Sequence, residues 1–190
     1  RMRSQYRFVC QSHSIASLPG MFERTITIGS AGKTFGMTGW KIGWAYGHPE
    51  LIKGMGQAHQ YIAFAANHPA QRAVAYAFTL DSGYYEEYRE MYAAKRALML
   101  QGLDAAGLRY YTPRGTYFVM ADFSAVFDGD DMAFARHLIE NIGVAAIPPS
   151  PFYSDGHKSL GQKHIRFAFC KNDDTLNAAA ERLAKLRVNG

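Results

Sequence analysis

The run Gly29-Ser30-Ala31-Gly32-Lys33-Thr34 sets a lysine on a tether of very small side chains, directly after an alternating β-branched segment. Two chemistries use a lysine placed in this way. The first is the loop that wraps a nucleotide phosphate, which needs four residues between its two glycines. Here two residues lie between Gly29 and Gly32, and Thr27 stands where the first glycine belongs. Gly36 and Gly39 also fall where the phosphate-capping helix would run. Spacing therefore argues against nucleotide binding. The second is Schiff-base chemistry, in which an amine must reach a planar carbonyl group packed close to backbone, and small neighbours allow that approach. An amine attacks only when unprotonated, a form that a nearby cation favours, and Lys41 is eight residues on. On residue type alone, a solvated surface lysine is the competing reading. Arg166, between Ile165 and Phe167, is a second candidate. Its planar guanidinium suits a two-pronged grip on a carboxylate, and a structural ion pair is the alternative.

Other chemistries find no matching pattern. The seven histidines show no paired metal-ligand spacing, and no metal is expected. Asp128, Asp130 and Asp131 lack the twelve-residue calcium-loop pattern and read as a turn with a helix N-cap. Cys10 and Cys170 form neither a CxxC nor a Cys/His ligand set, so a reducing, cytoplasmic setting is the default. The 190 residues carry 21 Lys plus Arg and 16 Asp plus Glu, a net +5, and 48% of them are hydrophobic; this is globular composition, with room for one large domain or two small ones. The excess charge is dispersed among acids except at Arg1, Arg3 and Arg7, which argues against nucleic acid and membrane surface as partners. No apolar run approaches the roughly 18 residues needed to cross a bilayer.

These residues must be held by a small set of elements. Strands are expected over residues 23–28 and 40–46, the first broken by Gly29 to Gly32, with a helix over 49–60 weakened by Gly54 and Gly56 and another from Pro69. The strongest helical period covers 84–106 and ends at Gly107, a natural C-cap. Beyond it the pattern predicts strands over 108–112, 117–122, 144–147 and 164–170, and helices over 131–140 and 174–186. Trp40 and Trp44 read as packing residues. The pattern is α/β in the first part and α+β in the second.

The stretch Thr25-Ile26-Thr27-Ile28-Gly29-Ser30-Ala31-Gly32-Lys33-Thr34-Phe35-Gly36-Met37-Thr38-Gly39-Trp40-Lys41-Ile42-Gly43-Trp44 closely resembles the lysine region of class I pyridoxal-phosphate aminotransferases, especially the kynurenine, glutamine K and methionine aminotransferase group. Gly115-Thr116-Tyr117-Phe118, Gly143-Val144-Ala145-Ala146-Ile147-Pro148 with Phe152-Tyr153, and His164-Ile165-Arg166-Phe167-Ala168-Phe169 resemble later landmarks of that family in the same order. The resemblance covers residues 14–186. It implies a fold-type I transferase, with residues 1–80 as the C-terminal remnant of the large cofactor domain and 81–190 as the small domain, opened by a long interdomain helix. Lys33 would be the catalytic Schiff-base lysine and proton carrier. Ser30 and Lys41 would hold the phosphate of pyridoxal 5′-phosphate, and Arg166 would hold the substrate α-carboxylate. Phe64 matches a position that lines the neighbouring subunit's pocket in a homodimer; a core aromatic is its other reading.

The implied activity moves an amino group from a bulky, aromatic or sulfur-bearing amino acid to a 2-oxo acid. Cleavage of cysteine-conjugate C–S bonds and a non-catalytic role as an interaction subunit are the alternatives. The family's aspartate for the pyridinium nitrogen is expected just upstream of Arg1, and Met2 stands where a cofactor-contacting tyrosine belongs. Residues 1–13 do not resemble the family. The chain is thus expected to be the C-terminal half of such an enzyme and, without that aspartate, weak or inactive alone.

Overall fold

β-Branched alternation from Thr25 extends the backbone into strand β1 (Ile26–Ser30), which pairs antiparallel with β2 (Gly43–Gly47), Ser30 facing Gly43 and Gly29 facing Trp44. The computed structural model describes residues 14–187; the Arg-rich start, residues 1–13, lies outside them. The chain divides into two units, with described residues 14–84 in one and 85–187 in the other. The boundary falls in the first turn of the long helix.

In the first unit, β1 starts three residues later than its sequence pattern suggests. Glu23 belongs to a short 3₁₀ turn, Phe22–Arg24, which Thr25 Oγ1 ties back by donating to the Met21 carbonyl at 2.6 Å. The strand then runs through Gly29 instead of breaking there. The Trp44 indole lies across that position, and any Cβ at Gly29 would overlap it, so this glycine serves close approach between strands. Trp44 packs edge-on against Phe78, with ring centroids 4.7 Å apart. Trp40, by contrast, is exposed in a 3₁₀ turn, Thr38–Trp40, because Lys41 at φ +55° turns the chain before β2 begins. Helix α1 (Ala31–Thr34) is one turn; α2 (Pro49–Ile62) tolerates Gly54 and Gly56 and is exposed along most of its length; α3 (His68–Ala77) is capped by Asn67, whose Oδ1 accepts from the Ala70 N–H at 2.9 Å. Ala31, Ile42, Ala70 and Val74 form the buried centre of this unit, with Phe35, Met37 and Trp44 packed around it.

The second unit is α+β. Helix α4 (Ser82–Ala105) leads through Gly107 at φ +76° to β3 (Arg109–Tyr110), β4 (Phe118–Asp122), α5 (Asp131–His137), β5 (His164–Ala168) and α6 (Asp173–Leu183). The three strands form an antiparallel sheet in the order β3-β4-β5. Period-two alternation buries Val119, Ala121, Ile165 and Phe167 on one face against Leu103 of α4, Phe134 of α5 and Leu176 and Leu183 of α6. The other face carries Phe118, Met120 and Arg166, with Met120 directly opposite Arg166. Helices α4 and α6 meet at Gly102, where a Cβ would stand 2.8 Å from that of Ala180.

Several expected elements are shorter than their patterns: β3 keeps two of the five residues 108–112 and β5 ends at Ala168. Helix α5 gives way to a wider, π-helical turn, Leu138–Ile142, closed by Gly143 at φ +75°. Residues 144–147 form no strand of their own, although Val144 and Ala146 are buried; one bridge, Ile147 to Arg166, is made before Pro148 and Pro149 remove the next two N–H donors.

Candidate active site

Lys33 sits in α1 at the point where β1 ends. Ser30 starts this turn as its N-cap: its hydroxyl accepts the Gly32 N–H at 3.2 Å. The Ala31 N–H donates to the Ile42 carbonyl at 3.0 Å, and Thr38 Oγ1 donates to the Gly32 carbonyl at 3.1 Å, so α1 is clamped on two sides by the 38–42 segment. Ala31 and Gly32 are buried in this clamp, whereas Ser30, Lys33 and Lys41 are exposed. The β1–β2 register brings all three to one end of the hairpin, Lys41 lying two residues before the Gly43 that faces Ser30. A primary amine, a hydroxyl and a second ammonium are therefore all exposed at one end of the hairpin, where Gly29 and Gly43 leave no room for a Cβ.

Arg166 belongs to the second unit. Its backbone is fixed on both sides, by the β4 ladder and by paired bonds with Ile147 (Ile147 N–H to the Arg166 carbonyl at 3.0 Å, Arg166 N–H to the Ile147 carbonyl at 2.9 Å). Its guanidinium rests against two aromatic rings, 4.6 Å from the centroid of Phe118 and 5.4 Å from that of Phe152. Its Nε is buried and has no hydrogen-bond partner, and no described carboxylate forms an ion pair with it. The structural ion pair is thus not what this arginine makes among the described residues. It lines a groove of about 220 Å³ together with Met120, Ile147, Pro149, Phe152 and Tyr153. That size is below the roughly 300–1,000 Å³ of pockets enclosing a whole drug-sized ligand, and it suits the charged end of one.

Phe64 closes α2. Its N–H donates to the His59 carbonyl at 3.1 Å, its φ is +60°, and the residue is 81% exposed. A core aromatic it is not. Non-glycine residues rarely hold this conformation.

The sequence pattern of the family described as aminotransferase class I and II matches residues 6–183, so the likeness begins at residue 6 and not at 14, and residues 6–13 belong to it against the expectation drawn from the motifs. The chain belongs to this family. It is 43% identical to the kynurenine–oxoglutarate transaminase of Dictyostelium discoideum over 93% of its own length and 45% of that protein. Among solved structures it is similar to the N-succinyldiaminopimelate aminotransferase of Mycobacterium tuberculosis (42% identity, TM-score 0.83, covering 90% of this chain and 44% of that one). It is also similar to YbdL of Escherichia coli, identified with a methionine aminotransferase function (37%, TM-score 0.85, 94% and 46%). The chain therefore spans about half the length of the aminotransferases it matches. The fold is that of fold-type I transferases.

Aminotransferases of this class depend on pyridoxal phosphate. The donor set here fits that group: an exposed amine for its aldehyde, and an exposed hydroxyl and ammonium for its phosphate. With its oxygen accepting from Gly32, the Ser30 hydroxyl keeps its proton to donate. The residues that sequence reasoning left without a role are Phe118, Met120, Ile147, Phe152 and Tyr153, which shape the Arg166 groove. Period-two alternation was the available signal for Phe118 and Met120, since both share a parity in β4; their juxtaposition with Arg166 needed the register.

Proposed function

We propose that this chain carries the lysine and the carboxylate-binding arginine of a pyridoxal-phosphate aminotransferase that moves an amino group from a bulky, aromatic or sulfur-bearing amino acid to a 2-oxo acid. The observation that carries this reading is Arg166: a guanidinium held by two rings, with no carboxylate paired to it among the described residues, in an otherwise apolar groove. The three relatives are named for three different amino donors and do not set the preference; what supports an apolar donor is that Met120, Ile147, Phe152 and Tyr153 surround the carboxylate-sized groove with apolar surface next to where the rest of the substrate would begin.

Arg166 orients the substrate by taking its α-carboxylate in two parallel N–H···O bonds, for which a planar fork is the suited geometry. Ser30 and Lys41 hold a phosphate, one by donating a hydrogen bond and the other as a point charge. Bound there, pyridoxal phosphate supplies an aldehyde for the amino group and a ring that accepts the electron pair left when the substrate α-carbon loses its proton. Lys33 Nζ would take that proton from the substrate α-carbon and deliver it to the carbon of the former aldehyde, and the small residues beside it leave room for the amine to reach both atoms. A cytoplasmic homodimer fits the same reading: the exposed Tyr61, Ile62 and Phe64 at the end of α2 offer a second subunit an apolar surface, and Cys170 is a free, exposed thiol.

Incubation with pyridoxal phosphate, reduction with borohydride and peptide mapping tests the assignment. The pyridoxyl label is expected on Lys33. A label spread over surface lysines, or one retained undiminished in Lys33→Ala, would refute it.

A further inference from the structure

Asp131 is fully buried, a rare state for a carboxylate. Its Oδ2 accepts the Ser150 backbone N–H at 2.7 Å, while its Oδ1 has no hydrogen-bond partner. The helix does not need it as a cap: Asp130 already fills that role, its Oδ1 accepting the Ala133 N–H at 2.8 Å. Burying a half-satisfied carboxylate costs free energy, so stability alone is a poor reason for it.

What the bond does is fix one point of the loop that covers Arg166. Ile147 is tied to Arg166 by two backbone bonds; Pro148 and Pro149 follow; Ser150 is held by Asp131; and a 3₁₀ turn, Ser150–Phe152, brings the Phe152 ring back over the guanidinium. Gly161 backs the same point, since a Cβ there would stand 2.9 Å from Ser150 N. Phe152 itself is largely exposed, so little packing of its own holds it in place.

We infer that Asp131 is a positioning residue for carboxylate binding: by holding Ser150 it sets Phe152 against Arg166 and so gives the groove its shape. The inference rests on the reading of Arg166 as the carboxylate-binding cation. Asp131 touches no ligand; it acts through the loop.

Titration calorimetry of the 190-residue chain with 3-phenylpropionate, a carboxylate with an apolar tail, tests it. The wild-type chain binds and Arg166→Ala does not. Asp131→Ala weakens binding about tenfold, the scale of one lost buried hydrogen bond. Asp131→Asn, whose amide oxygen still accepts from Ser150, stays within about twofold of wild type. Phe152→Ala, at an exposed position, reproduces the loss, and the double variant Asp131→Ala with Phe152→Ala loses no more than either single one. Unchanged binding in Asp131→Ala, or an Asn variant as weak as the Ala variant, overturns the positioning role while leaving the Arg166 site standing. Should Asp131→Ala fail to fold, wild-type affinity in Phe152→Ala overturns it equally. Absent binding by the wild-type chain, or binding indifferent to Arg166→Ala, brings down the Arg166 reading and this inference with it.

Discussion

Thr38 Oγ1 donates to the Gly32 carbonyl at 3.1 Å, and the two backbones approach so closely that a Cβ on Gly32 would stand 3.0 Å from Thr38 Cα. Lys33 is the next residue, so a methyl group at Gly32 would have to push back the backbone that holds the lysine's own turn. Gly32→Ala sets two effects against each other. Helix propensity favours alanine by up to about 1 kcal/mol, and forcing a methyl group against fixed backbone costs about 1–3 kcal/mol. The second wins. A net loss of about 1 kcal/mol in urea denaturation is expected, with pyridoxal phosphate occupancy of Lys33 falling as the turn shifts. A variant as stable as wild type with full occupancy would mean that the 38–42 segment yields freely.

Arg166→Lys keeps the charge and loses both the fork and the flat contact with Phe118 and Phe152. Binding of L-phenylalanine is expected to weaken about 10- to 100-fold, in line with about 1.5–3 kcal/mol for a hydrogen bond to a charged group. Phenethylamine, the same molecule without its carboxylate, should bind wild type and variant alike. Equal losses for both ligands would show that Arg166 reads something other than the carboxylate.

Phe64→Gly is expected to stabilise the fold. The left-handed conformation costs a non-glycine residue about 1–2 kcal/mol, glycine adopts it freely, and a residue 81% exposed gives up little burial. A gain of about 0.5–1 kcal/mol in chemical denaturation is the outcome to look for, after the extra unfolded-state entropy of glycine is subtracted. A lower midpoint instead would show that the ring packs more than its exposure suggests.

Tyr110 makes the stability fall at alkaline pH. Burial, and then the hydrogen bond from its hydroxyl to Asp104 Oδ1 at 2.9 Å, push its phenol up to about 12. The unfolded chain loses that proton near 10, the ordinary value, so between 10 and 12 the unfolded state binds fewer protons than the folded one. Stability is then unaffected by this group below pH 10 and declines as the pH rises toward 12. Tyr110→Phe should flatten the decline in urea melts run on either side of pH 10. Tyr88 is raised in the same direction by burial first, so some slope persists in the variant.

Much of this was legible from residue types. Among the described residues, helical period and helix-start signals such as Pro69 located each helix of eight residues or more, and Gly107 does take the positive φ that ends α4. The sequence pattern ends the strand at Gly29 to Gly32 and gives no sign of the one-turn helix that holds Lys33, because four small residues carry no period and Trp44, facing Gly29 from fifteen residues away, is what explains the glycine. Residues 144–147 have the composition of a strand, but among the described residues only Ile147 pairs, with Arg166, while the Val144 N–H turns back to the Leu138 carbonyl at 2.9 Å. The Arg166 groove was half visible: the arginine stands out in an apolar strand, but Phe152 reaches it through a loop whose path depends on a backbone bond to Asp131, and backbone hydrogen bonds of loops leave no mark on composition.

The small buried centre around Ala31, Ile42, Ala70 and Val74 has a dynamic corollary. Few large side chains are sequestered there, whereas the unit of Phe123, Phe134, Phe167 and Leu103 is densely filled. Local opening free energy follows buried apolar contact, so amides of α1 and the strands around it should exchange with solvent by a partial unfolding that leaves the β3-β4-β5 sheet intact. The lysine thus rides on the softer of two cooperative units, and any molecule that bridges Ser30, Lys33 and Lys41 stiffens the part of the chain with the most order to gain.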